Sequence, residues 1–365
     1  MPEVFEETAI NHMQLSNRFV RSATWEGLAT PDGACTERLL NVIEQLAKGG
    51  VGLIITGHGY VSREGQATPW QMGYHDDSLL PGLKRLSGIA HQHGSRIAAQ
   101  LAHAGAHAAA KLSGQEALGP SPVHGHNAPI CREMSTADVE RIVLAFAHAA
   151  ARAQQAGFDA VQIHAAHGYL LSQFLSPATN QRSDEYGGSL ANRSRMLLQI
   201  ARAVREAVGR DFPVLAKLNS EDFMEGGFSV EEMLDLATEL EREGLDAVEL
   251  SGGTLSDKSR YSPVRLGAVP REKEAYYRDA ARRFKERVRL PLVLVGGIRS
   301  LDVAERLVAE GVADYIALCR PLICEPLLLK RWRGGDRNAS PCLSDNRCYR
   351  PAIAGEGLRC LLWDG

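Results

Sequence analysis

Val214-Leu215-Ala216-Lys217-Leu218, then a helical pattern from Val230 to Glu243 closed by Gly244, then Ala247-Val248-Glu249-Leu250: this strand, helix, strand succession sets the fold. The flanking runs are nearly continuous in apolar residues. That suits strands buried on both faces, as in a parallel sheet, better than the in-out alternation of a half-exposed one. Working outward, the same unit recurs. Further β-rich runs lie at Arg18 to Ser22, Val51 to Thr56, Arg96 to Leu101, Ala160 to His164, Leu292 to Val295 and Tyr315 to Leu318. Helical patterns separate them at Glu37 to Ala47, Leu80 to His93, Leu190 to Val208, Glu272 to Glu286, Leu301 to Glu310 and Ile323 to Trp332. The clearest helix starts after Ser135, with Asp138 at capping-box spacing and Val139, Ile142, Val143, Phe146, Ala147 and Ala150 along one face. Gly94, Gly157, Gly209 and Gly311 mark further helix ends.

Eight strands alternating with eight helices predict an α/β fold of the (β/α)8 TIM-barrel type, a single domain over residues 1–335 followed by a cysteine-containing tail over 336–365. A doubly wound open sheet is the alternative. It would more often carry a glycine-rich turn after the first strand, where this chain has Ser22-Ala23-Thr24-Trp25. Two long excursions, Ala104 to Met134 and Thr254 to Arg271, follow strands three and six and are expected over the C-terminal face, where barrel active sites lie.

Composition narrows the function. The 365 residues are 44% hydrophobic and 23% charged, and the formal net charge is −3, so no nucleic-acid surface is implied. The first fifteen residues hold no apolar signal core, and no apolar run reaches the ~18 residues of a membrane helix. The expectation is a cytoplasmic protein with no membrane partner. Seven cysteines, an odd number in a long chain, argue against a complete disulfide framework.

Polar residues cluster where the strands end: Ala23-Thr24-Trp25, Gln100 and His103, His164 to Tyr169, Lys217 and Asn219, Ser251-Gly252-Gly253, Gly296-Gly297-Ile298-Arg299 and Cys319-Arg320. Gly296-Gly297 and Cys319-Arg320 follow strands seven and eight, the usual phosphate site of such barrels, although a Gly-Gly pair is equally the mark of a plain tight turn. Lys217 in a buried strand calls for an anionic partner, either a salt bridge or an anionic ligand. His164 and His167 read as a core or capping pair, as metal ligands lacking a third partner, or as donors to a substrate oxygen, with Tyr169 as a proton donor beside them.

Beyond spacing, His164-Ala-Ala-His167-Gly-Tyr169 with Gln173-Phe-Leu-Ser-Pro177, Asn180-Gln-Arg182, Asp184-Glu-Tyr186-Gly-Gly188-Ser189 and Asn192-Arg193 resembles the old yellow enzyme family of FMN-dependent ene-reductases. Asn17-Arg18, the Gln100 strand, Val295-Gly-Gly-Ile298 and Arg320-Pro321 extend the resemblance over nearly the whole chain, and it looks closest to the barrel domain of the 2,4-dienoyl-CoA reductase and enoate reductase branch. The resemblance implies that His164 and His167 bind the carbonyl-type oxygen of an activated alkene and that Tyr169 protonates Cα. It implies FMN held by Ala23, Thr24 and Trp25 near O4 and N5, by Gln100 at the pyrimidine edge, by Lys217 near N1 and O2, and by Gly296, Gly297 and Arg320 at the phosphate. Cys319 stands where many members have glycine. NADPH or NADH would be the reductant in a ping-pong cycle. A dehydrogenase or demethylase running in the oxidative direction, a metal-dependent hydrolase using His164 and His167, and a non-enzymatic scaffold are the alternatives. A homo-oligomer is compatible with all of them.

That branch ends its barrel with four cysteines on a [4Fe–4S] cluster. Here the pattern reads Cys342-x2-Asp345-x2-Cys348-x11-Cys360, with Asp345 in the place of the fourth cysteine. The expectation is a degenerate, lost cluster and a chain without the electron-donor domain that would feed it. An Asp-ligated cluster and a zinc site are the alternatives.

Overall fold

The computed structural model describes residues 3–124, 129–255 and 261–363. Eight parallel strands close on themselves: β1 (Phe19–Arg21), β2 (Leu53–Ile55), β3 (Arg96–Ala102), β4 (Ala160–Ala165), β5 (Val214–Asn219), β6 (Ala247–Ser251), β7 (Leu292–Leu294) and β8 (Tyr315–Leu318). β8 pairs with β1 through Ile316–Leu318 against Phe19–Arg21. The ring is continuous because β4 also pairs with β3, Ala160–Ile163 opposite Ala98–Leu101. The protein is a (β/α)8 barrel, and the open-sheet alternative is set aside.

The period of two along each strand sorts the residues. Ile54, Ile97, Ala99, Val161, Ile163, Ala216, Leu218, Val248 and Leu250 point outward into the core shared with the helices. Val20, Leu53, Ala98, Ala160, Leu215, Ala247, Val293 and Tyr315 point inward, where Ile10, Met13 and Leu15 of an N-terminal hairpin (Thr8–Ile10 with Met13–Leu15) pack against them and close the lower end. One step higher on the inner face the chemistry changes to Ser22, Gln100, Gln162, Lys217 and Glu249, all buried. The inward layers therefore run from apolar at the bottom to polar beneath the mouth.

The helices follow the sequence pattern with three corrections. The capping box at Ser135 and Asp138 opens a helix over Thr136–Gln155, and Gly94, Gly157, Gly209, Gly244 and Gly311 all take left-handed φ. The helix read over 190–208 is two pieces, Leu190–Arg193 and Arg195–Val208, because the Ser194 hydroxyl donates back to the Leu190 carbonyl at 2.7 Å. The pattern over 272–286 yields a helix only from Arg278 to Arg287. Glu274 turns instead to accept from the Arg299 and Ser300 amides and the Ser300 hydroxyl, and Ala275 takes φ +62. The last predicted helix splits into Arg320–Cys324 and Leu328–Arg333, with Pro326 in the gap.

The long excursion after β3 has structure of its own: Leu118–Gly119, Val123–His124 and Pro129–Glu133 form a small sheet. Gln173 ties it to the β4 block, accepting from the Ala106 amide at 3.0 Å and donating to the Gly168 carbonyl at 2.7 Å. Part of the second excursion, residues 256–260, lies outside the described residues, as do residues 364–365 of the tail. Among the described residues no helix is long and apolar enough to cross a membrane.

Candidate active site

A cavity of about 290 Å³ opens at the C-terminal mouth of the barrel. Ala23, Thr24, Trp25, Gln100, His164, His167, Tyr169, Lys217, Gly296, Gly297, Cys319 and Arg320 all line it, whereas His103, Asn219, Gly252 and Gly253 from the same strand ends do not.

The His-Ala-Ala-His-Gly-Tyr turn builds one wall. His164 ends the inward row of β4, and its Nδ1 is buried with no partner. His167 sits at φ +65, an uncommon conformation for a residue with a Cβ, with its amide donating to Asn219 Oδ1 at 3.0 Å and its Nε2 2.8 Å from Ser251 Oγ. The two imidazole centroids stand 5.3 Å apart, and the Tyr169 ring lies 5.2 Å from His164. Burial, then the positive charge of Lys217 and the neighbouring His58, holds His167 neutral well below the usual histidine range. His164 is held down by burial and then by His167, His58 and Lys217. Burial also pushes the Tyr169 phenol up to about 12, so it keeps its proton at neutral pH.

His58 completes this wall, and sequence reasoning missed it. Its Nε2 is 3.2 Å from the Tyr169 hydroxyl and its ring stacks on the tyrosine at 5.2 Å. Burial drops its pKa to about 4. The signal was present: Thr56-Gly57-His58 follows the second strand, the one strand end whose polar residues were passed over.

Beneath the mouth runs a buried polar chain. Lys217 Nζ donates to Ser22 Oγ at 2.8 Å and to Glu249 Oε1 at 2.9 Å, Ser22 Oγ donates to Glu249 Oε1 at 2.6 Å, Gln162 donates to Glu249 Oε2 at 2.9 Å, and Gln100 donates to Gln162 at 2.7 Å. Lys217 is salt-bridged, as one of its two readings had it, and it also lines the cavity. Glu249, the carboxylate that makes this possible, was read only as part of a strand.

On the opposite side Gly297 takes φ +73, and a Cβ there would meet the Tyr276 ring at 2.4 Å. Arg320 is fixed by its Nη1, which donates to the Arg265 carbonyl at 2.6 Å and Asn346 Oδ1 at 2.8 Å. The Thr24 hydroxyl and the Cys319 thiol are 3.1 Å apart, and Trp25 lines the cavity with its buried indole N–H unpartnered. Among the described residues no three His, Cys, Asp or Glu side chains are arranged to hold a metal ion.

Residues 3–338 match the family described as NADH:flavin oxidoreductase / NADH oxidase. The chain belongs to this family. This membership is in line with the old yellow enzyme resemblance. Among its relatives is a metal reductase of Desulforamulus reducens, 35% identical over 99% of this chain and 53% of that protein. An NADPH dehydrogenase of Geobacillus thermodenitrificans is 35% identical over 88% of this chain and 91% of its own length. Among solved structures, a 2-naphthoyl-CoA reductase in complex with 2-naphthoyl-CoA superimposes with a TM-score of 0.89 at 28% identity, over 98% of this chain and 56% of that one. An old yellow enzyme homologue of Zymomonas mobilis shares the fold, with a TM-score of 0.77 at 24% identity over 93% of this chain and 94% of that one. The chain spans about half the length of the first of these relatives.

Proposed function

We propose that this oxidoreductase binds FMN at the barrel mouth, accepts reducing equivalents from NADPH or NADH, and saturates the C=C bond of alkenes conjugated to a carbonyl or similar group. The observation that carries the reading is the convergence of two neutral imidazoles and a protonated phenol on the cavity that also holds Lys217 and Gly297.

The residues present fit the flavin. Lys217 brings buried positive charge to the side where the pyrimidine edge would lie, beside Gln100. Gly297 provides backbone that a side chain would otherwise cover, and Gly296, Cys319 and Arg320 line the same corner, where the phosphate would rest. Ala23, Thr24 and Trp25 would border the reactive ring. Bound flavin would supply hydride exchange with nicotinamide and substrate.

The protein's own groups do the rest. His167 Nε2 lies 2.8 Å from the Ser251 hydroxyl; with Ser251 as the donor, the ring carries its proton on Nδ1 and offers it as a donor. His164 keeps Nδ1 free of protein partners. Two preorganised N–H donors in a buried site favour an oxygen that gains negative charge, an oxyanion-hole arrangement. Neutral donors suit this role because neither gives up its proton in the resting state. Tyr169 holds a proton at its hydroxyl beside them. With His58 Nε2–H donating to the Tyr169 oxygen, the phenolic hydrogen is free to reach a substrate carbon, and the oxygen left behind stays hydrogen-bonded.

Stopped-flow measurement of the two half-reactions tests this. Tyr169→Phe is expected to slow reduction of a cyclic enone such as 2-cyclohexenone by about 10²–10⁴-fold, the range for loss of a general acid, with flavin reduction by nicotinamide nearly unchanged. Equal loss in both half-reactions overturns the assignment of Tyr169.

A further inference from the structure

Cys342, Cys348 and Cys360 of the tail do not stand alone. They line one cavity of about 150 Å³ together with Cys324, which belongs to the short helix Arg320–Cys324 after β8. Cys324 and Cys348 are buried, and all four are free thiols. Asp345 also lines this cavity, but it is solvent-exposed, and its Oδ1 is engaged within its own turn by the Arg347 amide at 3.1 Å.

These residues fit an iron–sulfur cluster, the group that the family resemblance implies for this tail. Such clusters are held by four cysteine thiolates, and four thiols are here. The thiols of Cys324, Cys342, Cys348 and Cys360 line one cavity. Sulfur donors select iron–sulfur clusters over hard cations. Arg320 and Arg347 also line the cavity and would offset the net negative charge of a tetrathiolate cluster.

We propose that this cavity binds a [4Fe–4S] cluster whose fourth ligand is Cys324, with Asp345 outside the coordination sphere. The thiol missing from the tail motif is supplied from the short helix Arg320–Cys324 that follows β8, 21 residues before Asp345 in the sequence. Ligation is acid–base chemistry only: four S–H groups release four protons to solvent as four iron–sulfur bonds form, and the iron and sulfide come with the cluster.

The test uses the full chain, purified without oxygen and reconstituted with equal amounts of ferrous and ferric iron and with sulfide, so that the resting core assembles without a further oxidant, as wild type, Cys324→Ser, Cys324→Ala and Asp345→Ala. Iron and acid-labile sulfide per chain, visible absorption, and low-temperature EPR before and after dithionite are read on each. The expected result is about four irons in wild type and in Asp345→Ala, with the same EPR spectrum in both, because a cluster held by four cysteines is indifferent to Asp345. Both Cys324 variants should lose the cluster or fall to a three-iron form. Wild type that takes up no iron, with a Cys324–Cys360 disulfide by mass spectrometry or without one, overturns the proposal. So does an Asp345→Ala protein that loses its cluster while Cys324→Ser keeps four irons. Flavin content of the same samples reports folding of the barrel, so a negative result here leaves the flavin reading standing or falling by itself. If the Cys324 variants do not retain flavin, the comparison of Asp345→Ala with wild type still decides whether the aspartate is a ligand.

Discussion

Replacing Glu249 with leucine would strand the Lys217 ammonium inside the barrel. The pair is 2.9 Å apart, with side-chain exposures of 4% for the lysine and 0% for the glutamate. An exposed pair such as Arg85–Glu37, at 58% and 76%, contributes little, because water screens both charges. Removing one partner of a buried pair costs about 3–5 kcal/mol, because the remaining charge has lost both water and its counter-charge. Gln162 Nε2 and Ser22 Oγ lose their acceptor as well, so the upper half of that range is expected. The assay is urea unfolding of the flavin-free protein at neutral pH, reading the midpoint at constant slope. Glu249→Leu should lose about 3–5 kcal/mol, and Lys217→Met/Glu249→Leu should regain most of it, since an apolar pair replaces a buried ion pair with little loss. A Glu249→Leu protein within about 1 kcal/mol of wild type would place the pair in the surface class and refute the argument. A double variant as weak as the single one would refute it too.

His164→Ala should weaken binding of a para-substituted phenolate, followed by flavin absorbance, by about 10–100-fold, the value of one hydrogen bond to a charged oxygen; an unchanged Kd would remove His164 from the oxygen site. Stability should fall in acid. His58 is lowered from 6.5 to about 4 by burial, so between those values the unfolded chain binds the more protons. Its contribution is complete above pH 6.5 and lost as pH falls to about 4; it amounts to about 3 kcal/mol, and His58→Gln should flatten that part of a urea-midpoint profile. Gly297→Ala forces a Cβ against Tyr276 at φ +73 and should cost more than about 1 kcal/mol and most of the flavin retained through gel filtration. Full flavin retention would move the phosphate corner elsewhere.

The barrel was legible because its signals are local. All eight strands fall within two residues of the apolar runs, since burial on both faces makes most of their residues apolar. The mouth was legible where its residues stand in one run, as in His164 to Tyr169. It was not legible where function comes from across the barrel. Glu249 looks like one charge in a strand until the β5–β6 register sets Glu249 beside Lys217. Cys324 looks like a helix residue until the tail folds back to it. The helix misread after residue 272 has the same origin: Glu274 answers to the amides of Arg299 and Ser300, partners 25 and 26 positions away, and not to its own turn.

The hairpin under the barrel also governs when the molecule can be finished. Tyr315, at the start of the last strand, donates its hydroxyl to the Ala9 carbonyl across 306 positions, and β8 must then zip to β1. A ribosome delivers the hairpin some 306 positions before its partner, so Ile10, Met13 and Leu15 wait through that length of synthesis for the strand that covers them. Contacts of such long sequence separation form slowly, and until they do the nascent chain is an unsealed ring with sticky edges. Closure is thus a late, cooperative event. Weakening the Tyr315–Ala9 clasp would register first as poor yield from the cell and only afterwards as altered catalysis.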